Sequence, residues 1–334
     1  MKAYIKAISY YLPPVELDNE GINLLFPEWS VDKISSKTGI YNRRIAEKNV
    51  YSSDLGVLAA EKLFEEHSIS PADIDYLLFC TQSPDYFLPT TACLLQARLG
   101  IPTSAGALDF NLGCSGYVYG LGLAKGLILA EDATNVLLIT AETYSKFIHP
   151  KDKSNRTIFG DGASATLVSS SGFAEICRSC VGTDGNGAEN LIVKRGGLRF
   201  EKNSNEDIII DEYGNARNEN YLLMNGSEIF NFTSEMVPLL VKSTLLKNNL
   251  DQNSIDLFVF HQANKFMLNH LRKKINISED RFYYFLENCG NTVSSTIPIA
   301  LSEAKKEGKV FGNILLAGFG VGYSWAGIIL KAND

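Results

Sequence analysis

The chain has 334 residues, with 31 Lys and Arg against 38 Asp and Glu and a formal charge of −7. Hydrophobic residues make up 45% and charged residues 21%, a globular composition with core enough for two domains or one large duplicated one. The acidic balance argues against a nucleic-acid partner, no stretch has the apolar length of a membrane span, and six scattered cysteines suit reduced thiols in a cytoplasmic protein.

Residues 1–12, followed by Pro13 and Pro14, read as a first strand and not as a secretory signal, so a cytoplasmic location is expected. Residues 55–67 read as a helix, 74–80 as a buried strand, 117–130 as an apolar helix and 135–140 as a second buried strand. An apolar strand at 163–168 leads into a small polar run at 169–172. Residues 201–220 are polar and charged, and read as a long excursion. A helix over 232–248, a strand over 257–260, a helix over 297–306 and a strand from 313 to 317 complete the series. Alternating strands and helices imply crossover connections, hence an α/β fold with helix-covered sheets.

Three segments recur in order. Ile74-Asp75-Tyr76 to Cys80 matches Ile255-Asp256-Leu257 to His261 at an offset of 181. Asn111 to Cys114 matches Asn288 to Asn291 at 177, and Asn135 to Ile139 matches Asn313 to Ala317 at 178. Loose alignment of apolar strands explains one such match, but three in register point to duplication. The join falls near 169–172, giving halves 1–170 and 171–334.

The repeat directs attention to three residues. Cys114, between an apolar run and the helix at 117–130, sits where a helix N-terminus favours thiolate over thiol, flanked by Gly113 and Gly116. From this segment alone a small buried core cysteine is the commoner role. His261 ends the strand 257–260, the place where α/β proteins put reacting groups. The other histidines, His67, His149 and His270, read as structural. Asn291 precedes a helix, where capping is ordinary work for asparagine. It is nonetheless the counterpart of Cys114, as His261 is of Cys80, and a pseudo-twofold axis would bring such positions together.

With Cys114-Ser115-Gly116, Phe159-Gly160-Asp161-Gly162-Ala163, His261-Gln262-Ala263-Asn264 and Gly290-Asn291-Thr292, the chain resembles the β-ketoacyl-acyl-carrier-protein synthase III family of the thiolase superfamily over nearly its whole length. The resemblance implies a thiolase fold, two halves stacked as αβαβα, and a homodimer. It implies an acyltransferase that condenses an acyl thioester primer with a malonyl thioester on acyl carrier protein, with loss of CO₂. Cys114, His261 and Asn291 would be catalytic, and the backbone N–H groups of Cys114 and Val321 the oxyanion hole. Lys37, Lys153, Leu88, Asn264 and Gly320 would meet substrate. No metal or organic cofactor is implied, coenzyme A or phosphopantetheine thioesters being substrates. Cys177-x-x-Cys180 lacks partners for a metal site.

Some positions depart from the family pattern. Phe266 stands where a carrier-docking arginine is common, leaving Lys265, Arg272 and Lys273 as candidate docking cations; a solvated helix face is the plainer reading of such a run. Lys33 and Lys153 stand where an aromatic residue and an arginine clamp adenine. Leu88 stands where a bulky aromatic caps the partner subunit's acyl pocket. Two other readings compete, an ester- or amide-forming relative and a non-catalytic partner subunit. Retention of Cys114 weighs against the second. Gly318-x-Gly320-x-Gly322 lacks the spacing of a nucleotide-binding loop.

Overall fold

Short β-branched and aromatic runs become strands here because both of their faces are covered. The computed structural model describes residues 1–203, 207–211 and 214–332. Among these, nine strands join in one sheet system. They are β1 (Tyr4–Tyr11), β2 (Tyr76–Cys80), β3 (Gly106–Phe110), β4 (Asn135–Glu142), β5 (Gly162–Ser169), β6 (Ala174–Thr183), β7 (Leu257–Phe260), β8 (Asn313–Gly320) and β9 (Ser324–Ala332). Their order is β7-β8-β9-β6-β1-β5-β4-β2-β3.

A short antiparallel seam joins β1 to β6, with Tyr4 opposite Glu175 and Ile5 opposite Ala174. Outward from the seam the two sides repeat. The order β1, β5, β4, β2 is matched by β6, β9, β8, β7, with two antiparallel pairings and then a parallel one on each side. β3 continues the first side in parallel with β2. A parallel bridge between Phe258 and Phe282 takes the same place on the second.

The registers coincide with the sequence repeat. Tyr76 lies opposite Val136, and Leu257, 181 residues on, lies opposite Ile314, 178 residues on. Each parallel pair is locked by the same brace. Asn135 N donates to Asp75 Oδ2 and Asn313 N to Asp256 Oδ2, both at 2.8 Å. The two Asn side chains donate to Asp73 O and Ser254 O at 3.0 and 2.9 Å. The recurring Asp and Asn thus close strand ends that would otherwise leave backbone groups unpaired.

Six helices complete the layers: α1 (Ser52–His67), α2 (Thr91–Arg98), α3 (Gly116–Leu129), α4 (Gly226–Lys247), α5 (Lys265–Ile275) and α6 (Thr296–Lys306). α3 and α6 lie between the sheets, where Tyr117, Val118, Leu121, Ile297 and Leu301 share one core with residues of both halves such as Leu138 and Leu316. Leu55 and Leu63 of α1 and Leu95 of α2 cover the outer face of the first sheet. Leu240 of α4 and Leu268 of α5 cover that of the second. The expected α/β thiolase layering, αβαβα, is therefore what the packing gives. Each fully buried leucine or isoleucine contributes about 1.5–3 kcal/mol relative to exposure.

Two expectations shift. α4 starts at Gly226, not near 232, because Asn225 caps it by accepting from Glu228 N at 3.3 Å. The excursion over 201–220 contains a short antiparallel pair, Ile209–Ile210 with Ala216–Arg217. Within it, 204–206 and 212–213 lie outside the described residues. Among the described residues no helix is long and apolar enough to cross a membrane.

Candidate active site

The turn after β3 delivers Cys114 to the N-terminus of α3, with Gly116 N donating to Gly113 O at 2.8 Å. The thiol is only 7% exposed, because β8 passes directly over it. A Cβ at Gly320 would lie 2.9 Å from Cys114 Sγ, and one at Gly318 would lie 2.6 Å from Cys114 O. Glycine is required at both for this approach. The backbone N–H groups of Cys114 and Val321 both face the sulfur and favour its anion. Burial wins nevertheless, pushing the Cys114 thiol up to about 12, with the Glu142 carboxyl adding to the rise. The thiolate expected from the helix N-terminus is outweighed by desolvation, so the resting side chain is a thiol.

His261 follows β7 directly, its N–H donating to Ala317 O at 2.8 Å. The ring is buried, edge-on to Phe319, with Nδ1 2.7 Å from Thr296 Oγ1. Burial lowers its pKa to about 3, against a smaller opposing effect of the Val293 backbone. The imidazole is therefore neutral at physiological pH. The rest of the motif is structural support. Gln262 Nε2 donates to Phe260 O and Tyr283 O, and its Oε1 accepts from Phe285 N. Asn264 Oδ1 caps α5 by accepting from Met267 N at 2.8 Å.

Asn291 is held by the Phe159-Gly160-Asp161 run. Its N–H donates to Ile158 O at 2.9 Å and its carbonyl accepts from Gly160 N at 3.0 Å. Gly290, at φ 72°, makes the turn there. Asp161 fixes the run from beneath, accepting from Ala46 N at 2.8 Å and Ser145 N at 2.9 Å. The Asn291 side chain accepts from Val293 N through Oδ1 at 2.9 Å, which leaves Nδ2 as its available donor.

These three residues, from segments 114, 261 and 291, line one cavity of about 160 Å³. Its walls include Tyr144, Phe159, Leu191, Met224 and Phe319, an apolar space suited to an alkyl chain. A second cavity of about 370 Å³ shares Ile158 and Asn264 with the first and adds Trp29, Lys37, Thr38 and Phe266. The arrangement offers a buried thiol, two backbone N–H groups beside it, a neutral imidazole and an amide donor. That set can accept an acyl group and stabilise an oxyanion.

The remaining expected residues divide. Gly320 and Asn264 line the inner cavity and Lys37 the outer one. Lys153 lines neither; it is buried and paired with Glu28 at 2.9 Å. Lys33 lines neither cavity; Trp29, in the turn before the helix Val31–Thr38, lines the outer one, with the Lys33 and Lys37 ammoniums 5.0 and 5.7 Å from its ring centre. Leu88 is 85% exposed and lines neither cavity. Among the docking candidates, Lys265 pairs with Glu287 at 3.1 Å, Arg272 is turned onto Tyr284 Oη and Ile277 O, and Lys273 is exposed. Trp29, Tyr144, Leu191, Met224 and Thr296 escaped the sequence reading. Only Trp29 carried a signal, as one of two tryptophans in the chain.

Comparison with known proteins agrees at every level. Residues 108–185 match the family model described as 3-oxoacyl-[acyl-carrier-protein (ACP)] synthase III, and residues 245–332 match its C-terminal counterpart. The β-ketoacyl-[acyl-carrier-protein] synthase III of Clostridium tetani is 34% identical over 98% of this chain and 97% of its own. That of Caldanaerobacter subterraneus is 35% identical over 98% and 97%. A 2.1 Å crystal structure of a 3-oxoacyl-(acyl-carrier-protein) synthase III superposes with a TM-score of 0.96 at 48% identity, covering 99% of this chain and all of the other. The corresponding synthase of Burkholderia xenovorans gives 0.90 at 38%, over 100% and 95%.

Proposed function

The chain belongs to the 3-oxoacyl-[acyl-carrier-protein] synthase III family, and we propose that it is the acyltransferase that joins an acyl thioester primer to malonyl-acyl carrier protein by decarboxylative Claisen condensation. This is the carbon–carbon bond-forming chemistry of fatty acid biosynthesis. Cys114 Sγ attacks the primer thioester, its proton ends on the departing thiolate, and an acyl-Cys114 thioester remains. The N–H groups of Cys114 and Val321 hold the oxyanion of that step. The malonyl group then loses CO₂, and its enolate oxygen is held by donors from neutral His261 and from Asn291 Nδ2. The enolate carbon attacks the acyl carbonyl, the Cys114 thiolate leaves, and it takes back a proton. Because decarboxylation generates the carbanion, the chemistry asks for no metal, organic cofactor or strong base.

What supports this reading is the convergence of Cys114, His261 and Asn291 on one apolar cavity. Further points belong to the same proposal. The two structural repeats are taken as halves 1–170 and 171–334, the first giving the nucleophile and the second the decarboxylating pair. Lys37 and Asn264 line the way in for a phosphopantetheine arm, and Lys265 and Lys273 face an acidic carrier protein. The enzyme works in the cytoplasm as a homodimer. Among the described residues β3 is an edge strand, and the nearby tip Tyr86-Phe87-Leu88 is exposed and apolar, a combination that calls for cover.

Intact-protein mass after incubation with acyl-coenzyme A and acyl-carrier-protein donors tests the first step. The expected outcome is a single acyl adduct that disappears in Cys114→Ala. An adduct that persists in that variant removes Cys114 from its role.

A further inference from the structure

Arg43 is fully buried, which is rare for an arginine unless a carboxylate accompanies it. Its guanidinium instead meets uncharged oxygens. Nε and Nη2 both donate to Thr157 O, the first at 2.9 Å, and Nη1 donates to Asn19 Oδ1. Nη2 also reaches Ile40 O at 3.5 Å. A guanidinium only donates, so the direction of each bond is fixed. Burial lowers the Arg43 pKa to about 10, against an opposing effect of the Asp18 carboxylate, so the group is a cation at neutral pH. A desolvated charge held by neutral oxygens is costlier than an apolar side chain of the same size. Filling space does not account for it.

The place it occupies does. Arg43 lies in the short strand Asn42–Ile45, which runs along the approach to Asn291. Tyr41 N and Asn42 N donate to Glu287 O at 2.7 and 3.0 Å, and Arg44 Nε donates to Asn288 O at 3.4 Å. Arg44 O accepts from Asp161 N at 2.7 Å. From this strand the guanidinium grips Thr157 O, one residue before the carbonyl of Ile158 that accepts from Asn291 N at 2.9 Å. The Arg43 stem closes the same turn from the other side. A Cβ at Gly290 would lie 3.1 Å from Arg43 Cγ and 2.9 Å from Ile158 O. Head and stem of one side chain thus hold the two segments, 157–160 and 290–291, between which the Asn291 backbone is bonded. Cys114 is fixed by other elements, the turn after β3, α3 and β8, and none of them supplies an acceptor to Arg43.

We propose that Arg43 is a positioning residue for Asn291: it clamps the Thr157 carbonyl and packs on Gly290, so that the Asn291 side chain is held at the cavity in one orientation. The consequence for the reaction rests on the condensation reading above; the placement of Asn291 does not. Without the guanidinium, Thr157 O loses both of its donors from Arg43 and the segment that carries Asn291 is free to shift.

The test combines hydrogen exchange read by mass spectrometry with separate assays of the two half-reactions, in the wild type, Arg43→Met and Arg43→Lys. Acylation of Cys114 is measured at saturating donor, because Ile40 follows the helix Val31–Thr38, whose Lys37 and Thr38 line the outer cavity. In Arg43→Met, which keeps the length of the stem, peptides covering 157–160 and 286–292 should lose protection while those covering 114–129 keep it. Malonyl decarboxylation should fall on the order of 10²-fold, the scale of a displacement of about 1 Å in a positioned group, while acylation at saturating donor continues at the wild-type rate. Arg43→Lys keeps the charge and one donor for Thr157 O but loses the two-nitrogen grip. It should show the same pattern at smaller amplitude, and it decides the question if the methionine variant does not fold. Unchanged exchange at 157–160 and 286–292 overturns the proposal, as does wild-type decarboxylation in a loosened variant or an equal loss in both half-reactions. If the wild type failed to decarboxylate malonyl thioesters, the condensation reading would fall, while the exchange pattern would still decide whether Arg43 places Asn291.

Discussion

Burial sets the protonation state of the two titrating side chains at the candidate site, and it acts on them in opposite directions. It holds Cys114 as a thiol and His261 as a neutral imidazole. The histidine has a stability consequence whose sign is fixed. Its pKa is about 3 in the folded chain against an ordinary 6.5, so the unfolded state binds the extra proton between those values. The stability it confers is complete above pH 6.5 and is lost as pH falls toward 3, by up to about 1.4 kcal/mol per pH unit. His261→Gln should therefore lose roughly 2 kcal/mol less than the wild type between pH 6.5 and 4.5, read from denaturant midpoints. Equal losses would mean that the ring is not buried neutral. At this scale the convergence of Cys114, His261 and Asn291 on one cavity was legible, because a repeat and strand-end positions mark them. Lys153 was not, since its burial depends on Glu28, remote in sequence. The place of Trp29 at the outer cavity was not legible, because it lies in the turn before the helix Val31–Thr38 and reaches the cavity only through packing.

Among the elements, β8 carries the tightest constraint. It is paired with β7 on one side and β9 on the other, so it cannot retreat from the sulfur it covers. Gly320→Ala places a methyl group 2.9 Å from Cys114 Sγ. The variant should fold, at a cost of about 1–3 kcal/mol, yet acylate at least tenfold more slowly by the same mass measurement. Acylation at the wild-type rate would show that the strand or the turn yields. The strand was read as ending at Ala317 and in fact runs to Gly320. Glycines depress strand propensity locally, and only the antiparallel partner β9 draws Gly318 to Gly320 into the sheet. The start of α4 was missed for a related reason, since its cap at Asn225 lies well ahead of the apolar periodicity. The elements facing the site were otherwise placed from apolar runs alone.

For the whole molecule, the repeat was the most legible feature, because the Asp and Asn that brace each parallel pair are chemically constrained and so recur at fixed offsets. It implied stacked halves and a shared site before any geometry was known. The cavity walls were not legible: Tyr144 starts a short 3-10 turn after β4, and Leu191 and Met224 face each other in a short antiparallel pair outside the nine-stranded sheet. The exposed tip at Tyr86 to Leu88 and the edge strand β3 lead to a prediction at this scale. Sedimentation velocity should show a dimer of the 36.8 kDa chain, weakened by Leu88→Asp; a monomer at micromolar concentration would contradict it.

The most direct test of the central claim is the mass of the carrier protein after malonyl-acyl carrier protein is incubated with enzyme and a primer donor. The account predicts loss of CO₂ and gain of the primer acyl group on the carrier, abolished in Cys114→Ala and reduced in His261→Ala and Asn291→Ala. Acyl transfer from Cys114 to an alcohol or amine, with malonyl-acyl carrier protein left intact, would contradict it and identify an ester- or amide-forming enzyme instead.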